Sequence, residues 1–519
     1  MEWMRHNSFV DGDLFLWVSF SIPLYIFYLK YIKCATLLGA GGEEDPELTT
    51  CKHQCKLQQQ YSKSEKQACM QSCDKYHEMK KEREREIEEE IRRRKEREME
   101  EEKEKQKHHG EEEEEEEEEN PFLFEDDDFE TRFETEDGRV RVLDKFTKNS
   151  KLLRGIENFR LAILEAKGHT FVAPCHFDSE AVFFVVKGRA TIGMVREDKT
   201  DRFNLEEGDI IRVPSGTPVY VVNREDNQKL FIAKLHMPLA IPGDFEAFYG
   251  PGGRDPESFL TGFSWEVLEA ALKSPKEKLE RLLKQQEKGG IFKISREHVQ
   301  SLSKVKGGGI WPFKGQSSSG PFNIFKKSPI ISNQYGRLFE TNLDDDSHLK
   351  DLNLILSFAN ITNGSMTVPF YMTRATKIIL VTGGKGYIEM VCPHVSSSSS
   401  RSHSQKSSPS YHGFRASLKP GVVFVVPTGH PFLIGASNKN NLQVLCFEVH
   451  AQGNRMLTFA GKRNIVKALN GEAKELAFNY PADKVDEIFS RDEDFFIPGP
   501  ENYDPEEEEE EYYGHTYSA

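Results

Sequence analysis

At 519 residues the chain exceeds one ordinary core, and a norm of roughly 100 to 200 residues per domain predicts two or three domains. Hydrophobic residues make up 37% and charged residues 30% of it, so most of the chain reads as globular, with the charge gathered in two segments. The formal net charge of −16 and pI near 5.6 deny the basic face that a nucleic-acid footprint needs. Helix-turn-helix, zinc-finger and RNP-like patterns are absent from the sequence, so no nucleic-acid partner is expected.

Residues 1–40 are predicted to be an atypical signal peptide. Leu14 to Tyr31 is apolar, but Glu2, Asp11 and Asp13 stand where a signal wants positive charge, and Lys30 interrupts its end. A membrane anchor is the alternative, on a run short for a bilayer span; no stable membrane association is expected. Residues 41–80 hold Cys51, Cys55, Cys69 and Cys73 as two Cys-x3-Cys pairs, and a tight even set points to disulfides and an oxidising compartment. On a helix the i, i+4 spacing puts both thiols of a pair on one face, so two antiparallel helices would be stapled twice, Cys51 to Cys73 and Cys55 to Cys69. A four-thiolate zinc site is the competing reading, although zinc ligands more often come as Cys-x2-Cys. Cys34, Cys175, Cys392 and Cys446 stand singly and read as buried thiols.

Residues 81–138 are predicted to be a charged helix followed by an acidic disordered linker. From Lys80 to Met99 the signs alternate at helical spacing with no apolar face, and Glu111 to Glu119 is a self-repelling run. From Arg139 onward short β-branched and aromatic runs appear, such as Val182 to Val186 and Ile210 to Val213, bounded by Gly, Pro, Asp and Asn. An internal repeat organises them. Pro174, Lys187-Gly188, Glu207-Gly208-Asp209, Val213-Pro214-Ser215-Gly216 and Leu235-His236 have ordered counterparts in Pro369, Gly383-Gly384, Pro420-Gly421, Val426-Pro427-Thr428-Gly429 and Val449-His450. Two homologous barrels follow, at 139–300 and 323–490, joined by a linker at 301–322, with an acidic disordered tail at 491–519. Each barrel carries a helical signal: Ser264 to Leu272 then Lys276 to Gln286 in the first, Asn464 to Leu469 then Ala482 to Phe489 in the second.

Four segments resemble the vicilins, the 7S globulins of seeds: Phe263-Ser264-Trp265 with its helix pair, Gly290 to Glu297, Phe424 to Pro431, and Asp494 to Pro500. The resemblance implies a mainly β chain of two tandem cupin jelly-roll barrels, each with a helical extension, behind a helical hairpin and a charged disordered leader. It further implies a homotrimer, deposition in the protein storage vacuole, and a nutrient reservoir digested by proteases at germination. The Cys-x3-Cys leader is similar to that of larger vicilins, some of which are cut into antimicrobial hairpin peptides. Many vicilins carry a glycosylation sequon just after the His-Pro turn, but here Gly435-Ala436-Ser437 takes its place. The acceptors on offer are Asn360 and Asn363, too close together for both to be occupied.

Enzymatic cupins hold a metal with a His-x-His, a Glu and a later His. Here the first barrel offers Cys175, His176 and Glu180, with Val219 at the later position, and the second offers Phe370, Met372 and Phe432. Neighbours on a strand point to opposite faces, so Cys175 and His176 cannot both be ligands without a bulge. No catalytic residue, metal or cofactor is therefore expected. The alternatives are copper held at Cys175 or His176 with His236, and a sugar-binding module of the kind found among sucrose-binding relatives of vicilins.

Overall fold

A computed structural model of the protein describes residues 46–57, 62–79, 81–82, 120–196, 199–250, 255–304, 320–343, 347–393 and 411–500. The expected signal segment, nearly all of the charged helix, the Glu111 to Glu119 run and the chain beyond Pro500 lie outside the described residues. The chain divides into two compact units, one before residue 118 and one from it onward.

The first unit contains helices Pro46–Leu57 and 63–79. Ser62 opens the second of these with a reciprocal cap: its backbone N–H donates to Glu65 Oε2 at 2.7 Å, and Glu65 N–H donates back to its hydroxyl at 3.4 Å. The two helices are crosslinked by Cys51–Cys73 and Cys55–Cys69, with Cα separations of 6.0 and 5.8 Å. Lys52 and Asp74 add an ion pair at 2.5 Å. With no broad apolar face to bury, the crosslinks supply the constraint that a core supplies elsewhere.

The second unit is built from two jelly rolls. In the first, a seven-stranded sheet runs in the order Phe322–Asn323, Asp209–Val213, Ser179–Lys187, Leu230–Pro238, Arg160–Ala166, Gly138–Leu143, Phe129–Thr135. Opposite it lie Ala247–Tyr249, Thr170–Phe177, Val219–Asn223, Ala190–Arg196 and Lys199–Leu205, with Ile291–Lys293 also on Thr170–Phe177. The second jelly roll repeats the plan around Thr376–Gly383, Leu442–Val449, Leu354–Ile361 and Gly336–Glu340. Equivalent turns use Gly188 and Gly384 at φ of 93° and 76°, where a side chain would be strained.

The period-2 alternation of Ser179–Lys187 serves two cores at once. Ala181, Phe183 and Val185 face the interior of the first barrel, while Val182 and Phe184 join a larger cluster shared with the second, in which Phe184 stacks on Phe358 at 6.3 Å. A strand buried on both faces needs a continuous apolar run, which is what the sequence has there.

The structure differs from the expected boundaries at both ends of this unit. Residues 120–138, assigned to the acidic linker, are folded: Leu123–Phe124 pairs with Val423 and Phe424 of the second barrel, and Phe129–Thr135 pairs with Gly138–Leu143 of the first. Apolar Phe122 and Phe124 amid acidic neighbours are the residues that anchor it, both with zero exposure. Phe322–Asn323 makes the reciprocal crossing, pairing with Ile210 and Asp209 of the first barrel. At the other end Phe496–Pro498, placed in the acidic tail, is a strand on Ser365–Thr367.

The helical extensions are Trp265–Leu272 with Lys276–Lys284, and Gly471–Phe478 with Ala482–Phe489. Each pair is broken alike: a left-handed residue, Lys273 or Asn479, ends one helix and Pro275 or Pro481 caps the next. The helix expected at Asn464 to Leu469 is a turn instead. The Asn464 side-chain Nδ2 donates to Gly461 O and Phe489 O and its Oδ1 accepts from Lys467 N–H, while Ala468 N–H reaches Asn464 O at 3.3 Å, so a single capped turn forms before the backbone becomes extended at Asn470, the cap of the next helix. The extensions leave apolar side chains in solvent, with Leu476 at 86% and Ile488 at 70% exposure, whereas Leu268 is turned inward.

Candidate functional site

The mouths and interiors of the two barrels are where cupin chemistry would sit. On the strand Thr170–Phe177 alternation sends Cys175 into the first core and His176 outward, where it stacks on Phe248 with ring centroids 5.0 Å apart. The strand partner of Cys175 is Val219, so no imidazole faces the thiol from the neighbouring strand. Burial pushes the Cys175 thiol up to about 11, against the pull of Lys234, and a protonated thiol is a poor nucleophile and a poor ligand. Glu180 is engaged by Arg212 Nε at 2.8 Å.

His236 lies inside the barrel but is committed elsewhere. Its Nδ1 shares a hydrogen bond with Ser179 Oγ at 2.9 Å, and its ring stacks on Phe245 at 3.8 Å. Burial, reinforced by Lys234 and Arg160, drives its pKa well below the ordinary value and keeps the imidazole neutral. Beside it Lys234 Nζ sits 4.9 Å above the Phe183 ring, and burial pulls this amine down to about 8. Tyr249 on the adjoining strand is pushed up by burial and by Cys175.

In the second barrel Phe370 pairs directly with Phe432, their rings 4.1 Å apart, and Met372 is buried beside them. Aromatic carbon fills the volume a metal would need. Among the described residues no group of three or more His, Cys, Asp or Glu side chains is placed to hold a metal ion. The donor set does not fit the cupin metal, and no chemistry is routed through one.

Sequence reasoning missed the interior charges. Lys377 Nζ meets Glu448 Oε1 at 2.6 Å with side-chain exposures of 8% and 1%, and Ser357 Oγ donates to the same oxygen at 2.8 Å. The signal was available, since Lys234, Lys377 and Glu448 each occupy an inward position of an otherwise apolar strand. The two sequons differ in setting. Asn360 is half-buried mid-strand with its Oδ1 lacking a partner, whereas Asn363 is exposed on a turn, its backbone N–H held by Asn441 Oδ1.

Comparison with known proteins fits this geometry. The cupin family pattern matches residues 123–237 and 322–486. The solved vicilin of hazelnut, Corylus avellana, is 57% identical, with a TM-score of 0.69 over 73% of this chain and all of that one. A walnut vicilin, Jug r 6.0101 of Juglans regia, is 54% identical over 500 residues, 94% of this chain and 98% of its own length. The chain belongs to the vicilin family. Another relative of this vicilin, a soybean (Glycine max) protein named sucrose-binding protein, is 58% identical over 479 residues, 90% of each chain. Vicilin ancestry accounts for the repeated barrel, which the family pattern matches twice.

Proposed function

We propose that this vicilin is a seed storage globulin, laid down as a nitrogen and carbon reservoir and digested when the seed germinates. The observation that carries the reading is the replacement of ligand positions by packing pairs, Val219 against Cys175 and Phe370 against Phe432, in a chain more than half identical to vicilins. The protein self-associates through the uncovered apolar faces of its helical extensions. In a head-to-tail ring, the extension of one unit docks on the other unit of the next chain, and three chains close the ring. Storage vacuoles are its destination and proteases its partners. Asn363, exposed on its turn, is the glycan acceptor in preference to Asn360. The disulfide-locked hairpin, a compact unit of its own, is released from the leader as a small antimicrobial peptide.

Intact mass and N-terminal sequencing of the protein from mature seed, repeated through germination, test these points together. A chain that persists undegraded into the established seedling contradicts the storage reading. The second reading, sugar binding, is favoured by the soybean relative alone. A ligand that prefers the folded state raises the melting temperature, so a rise with sucrose beyond that with equal trehalose supports it, the control removing the general stabilisation by osmolytes.

A further inference from the structure

The second barrel sets a second, half-buried carboxylate beside an ion pair that is already complete. Glu448 Oε1 accepts from Lys377 Nζ at 2.6 Å and from Ser357 Oγ at 2.8 Å, and Asn454 Nδ2 approaches Oε2 at 3.5 Å. That pair already cancels its own charge. Glu340 stands on the next strand directly opposite Ser357, on the inward face it shares with Leu338. The groups that face Glu340 are therefore Ser357 from one strand, Cys446 and Glu448 from the next and Lys377 from the one beyond, and the cation among them is already taken. An ionised Glu340 would leave the cluster one negative charge in excess inside the barrel.

We propose that Glu340 is a proton-operated latch, a neutral acid that keeps the second barrel closed and an ionised one that loosens that barrel alone. Burial and then the Glu448 carboxylate raise Glu340 to about 7, against the pull of Lys377. The folded chain thus holds this proton more tightly than an unfolded one, where the group titrates near 4.5. The stabilisation is complete below the unfolded value and is lost as pH rises through the folded one.

The first barrel supplies an internal reference. Strand registers place Val140 where the second barrel has Glu340, Leu164 for Ser357, Phe183 for Lys377 and Lys234 for Glu448. No carboxylate occupies any of these places in the first barrel.

Hydrogen exchange of the full chain at about pH 5 and about pH 8, corrected for the intrinsic rate, reads local opening. Amides of Gly336–Glu340 and Leu354–Ile361 should open up to about a hundredfold more at the higher pH, while those of Gly138–Leu143 and Arg160–Ala166 should open no more, and rather less, because the neutral His236 of that barrel favours the folded chain as pH rises past 6.5. In Glu340→Gln the change should vanish. Equal change in both barrels of the unsubstituted protein overturns the proposal, as does an unaltered change in Glu340→Gln. Since the first comparison lies within one molecule, it can refute the latch even where the variant fails to fold.

Discussion

Cutting the leader back to Asn120 and cutting it a few residues further, to Asp126, should have opposite outcomes. The first truncation leaves the second barrel intact. The second removes Phe122 and Phe124, both with zero exposure. The Phe122 ring meets Phe414 edge-on at 5.1 Å, and that of Phe124 meets Phe146 at 5.6 Å. It also strips the backbone bond from Val425 N–H to Phe122 O and the pairing of Leu123 with Phe424. Truncating one buried Phe to Ala costs about 3–5 kcal/mol, so losing both costs about 6–10 kcal/mol, comparable to the roughly 5–15 kcal/mol that holds a domain folded. Urea unfolding followed by circular dichroism is the assay. The chain starting at Asn120 should keep the midpoint of the full protein, and the chain starting at Asp126 should lose its second-barrel transition or show it at far lower urea. Coincident midpoints for the two truncations refute the reasoning, and single Phe122→Ala and Phe124→Ala chains should each fall part of the way.

Lys377→Met alone should cost about 3–5 kcal/mol in chemical denaturation because it strands Glu448, whereas Lys377→Met with Glu448→Leu should be near neutral; equal losses would contradict the buried-pair argument. Lys234→Met should stabilise the first barrel at neutral pH by up to about 3 kcal/mol, since burial lowers that amine and the buried ammonium is costly below about pH 8. The sign is opposite to that of Glu340: the unfolded chain holds the Lys234 proton more tightly, so the difference between Lys234→Met and the unsubstituted protein should shrink as pH climbs from about 8 towards about 10.5, and a pH-independent difference argues against it. Leu476→Glu with Ile488→Glu should convert the assembly to single chains in light scattering without changing circular dichroism, because both residues lie in solvent within one chain. Leu268→Glu, at an inward position, should instead unfold the first extension.

Much of this fold could be read ahead of the structure because its signals are local. Glycines with positive φ, prolines that end strands, and short β-branched runs recur in order through both barrels, and the i, i+4 cysteines in the leader register with two helices. What sequence reading lost was non-local. Leu123–Phe124 and Phe322–Asn323 are two-residue strands whose partners lie roughly 300 and 110 residues away, and no window of sequence reveals such a pairing. The turn at Asn464 differs from the expected helix for another reason: Ile465, Val466 and Leu469 keep helical spacing behind a capping Asn464, but Asn470 is extended and caps the next helix, which leaves room for one turn. The buried charges were passed over because the search was for metal ligands, and lysine in a barrel wall is not one.

The crossing of Leu123–Phe124 and Phe322–Asn323 between the barrels bears on how the chain can be made. During synthesis the first barrel cannot complete its sheet until Asn323 has left the ribosome, long after its other strands are out. The segment reserved for the second barrel, made before any barrel strand, must wait for Phe424. Nascent chains therefore pass through a stage in which the Asp209–Val213 edge and the Leu123–Phe124 segment both lack their partners, and the open edge is a template for the wrong neighbour. Chaperone demand should peak over that interval of translation, and the acidic leader already emerged keeps like chains apart while it lasts.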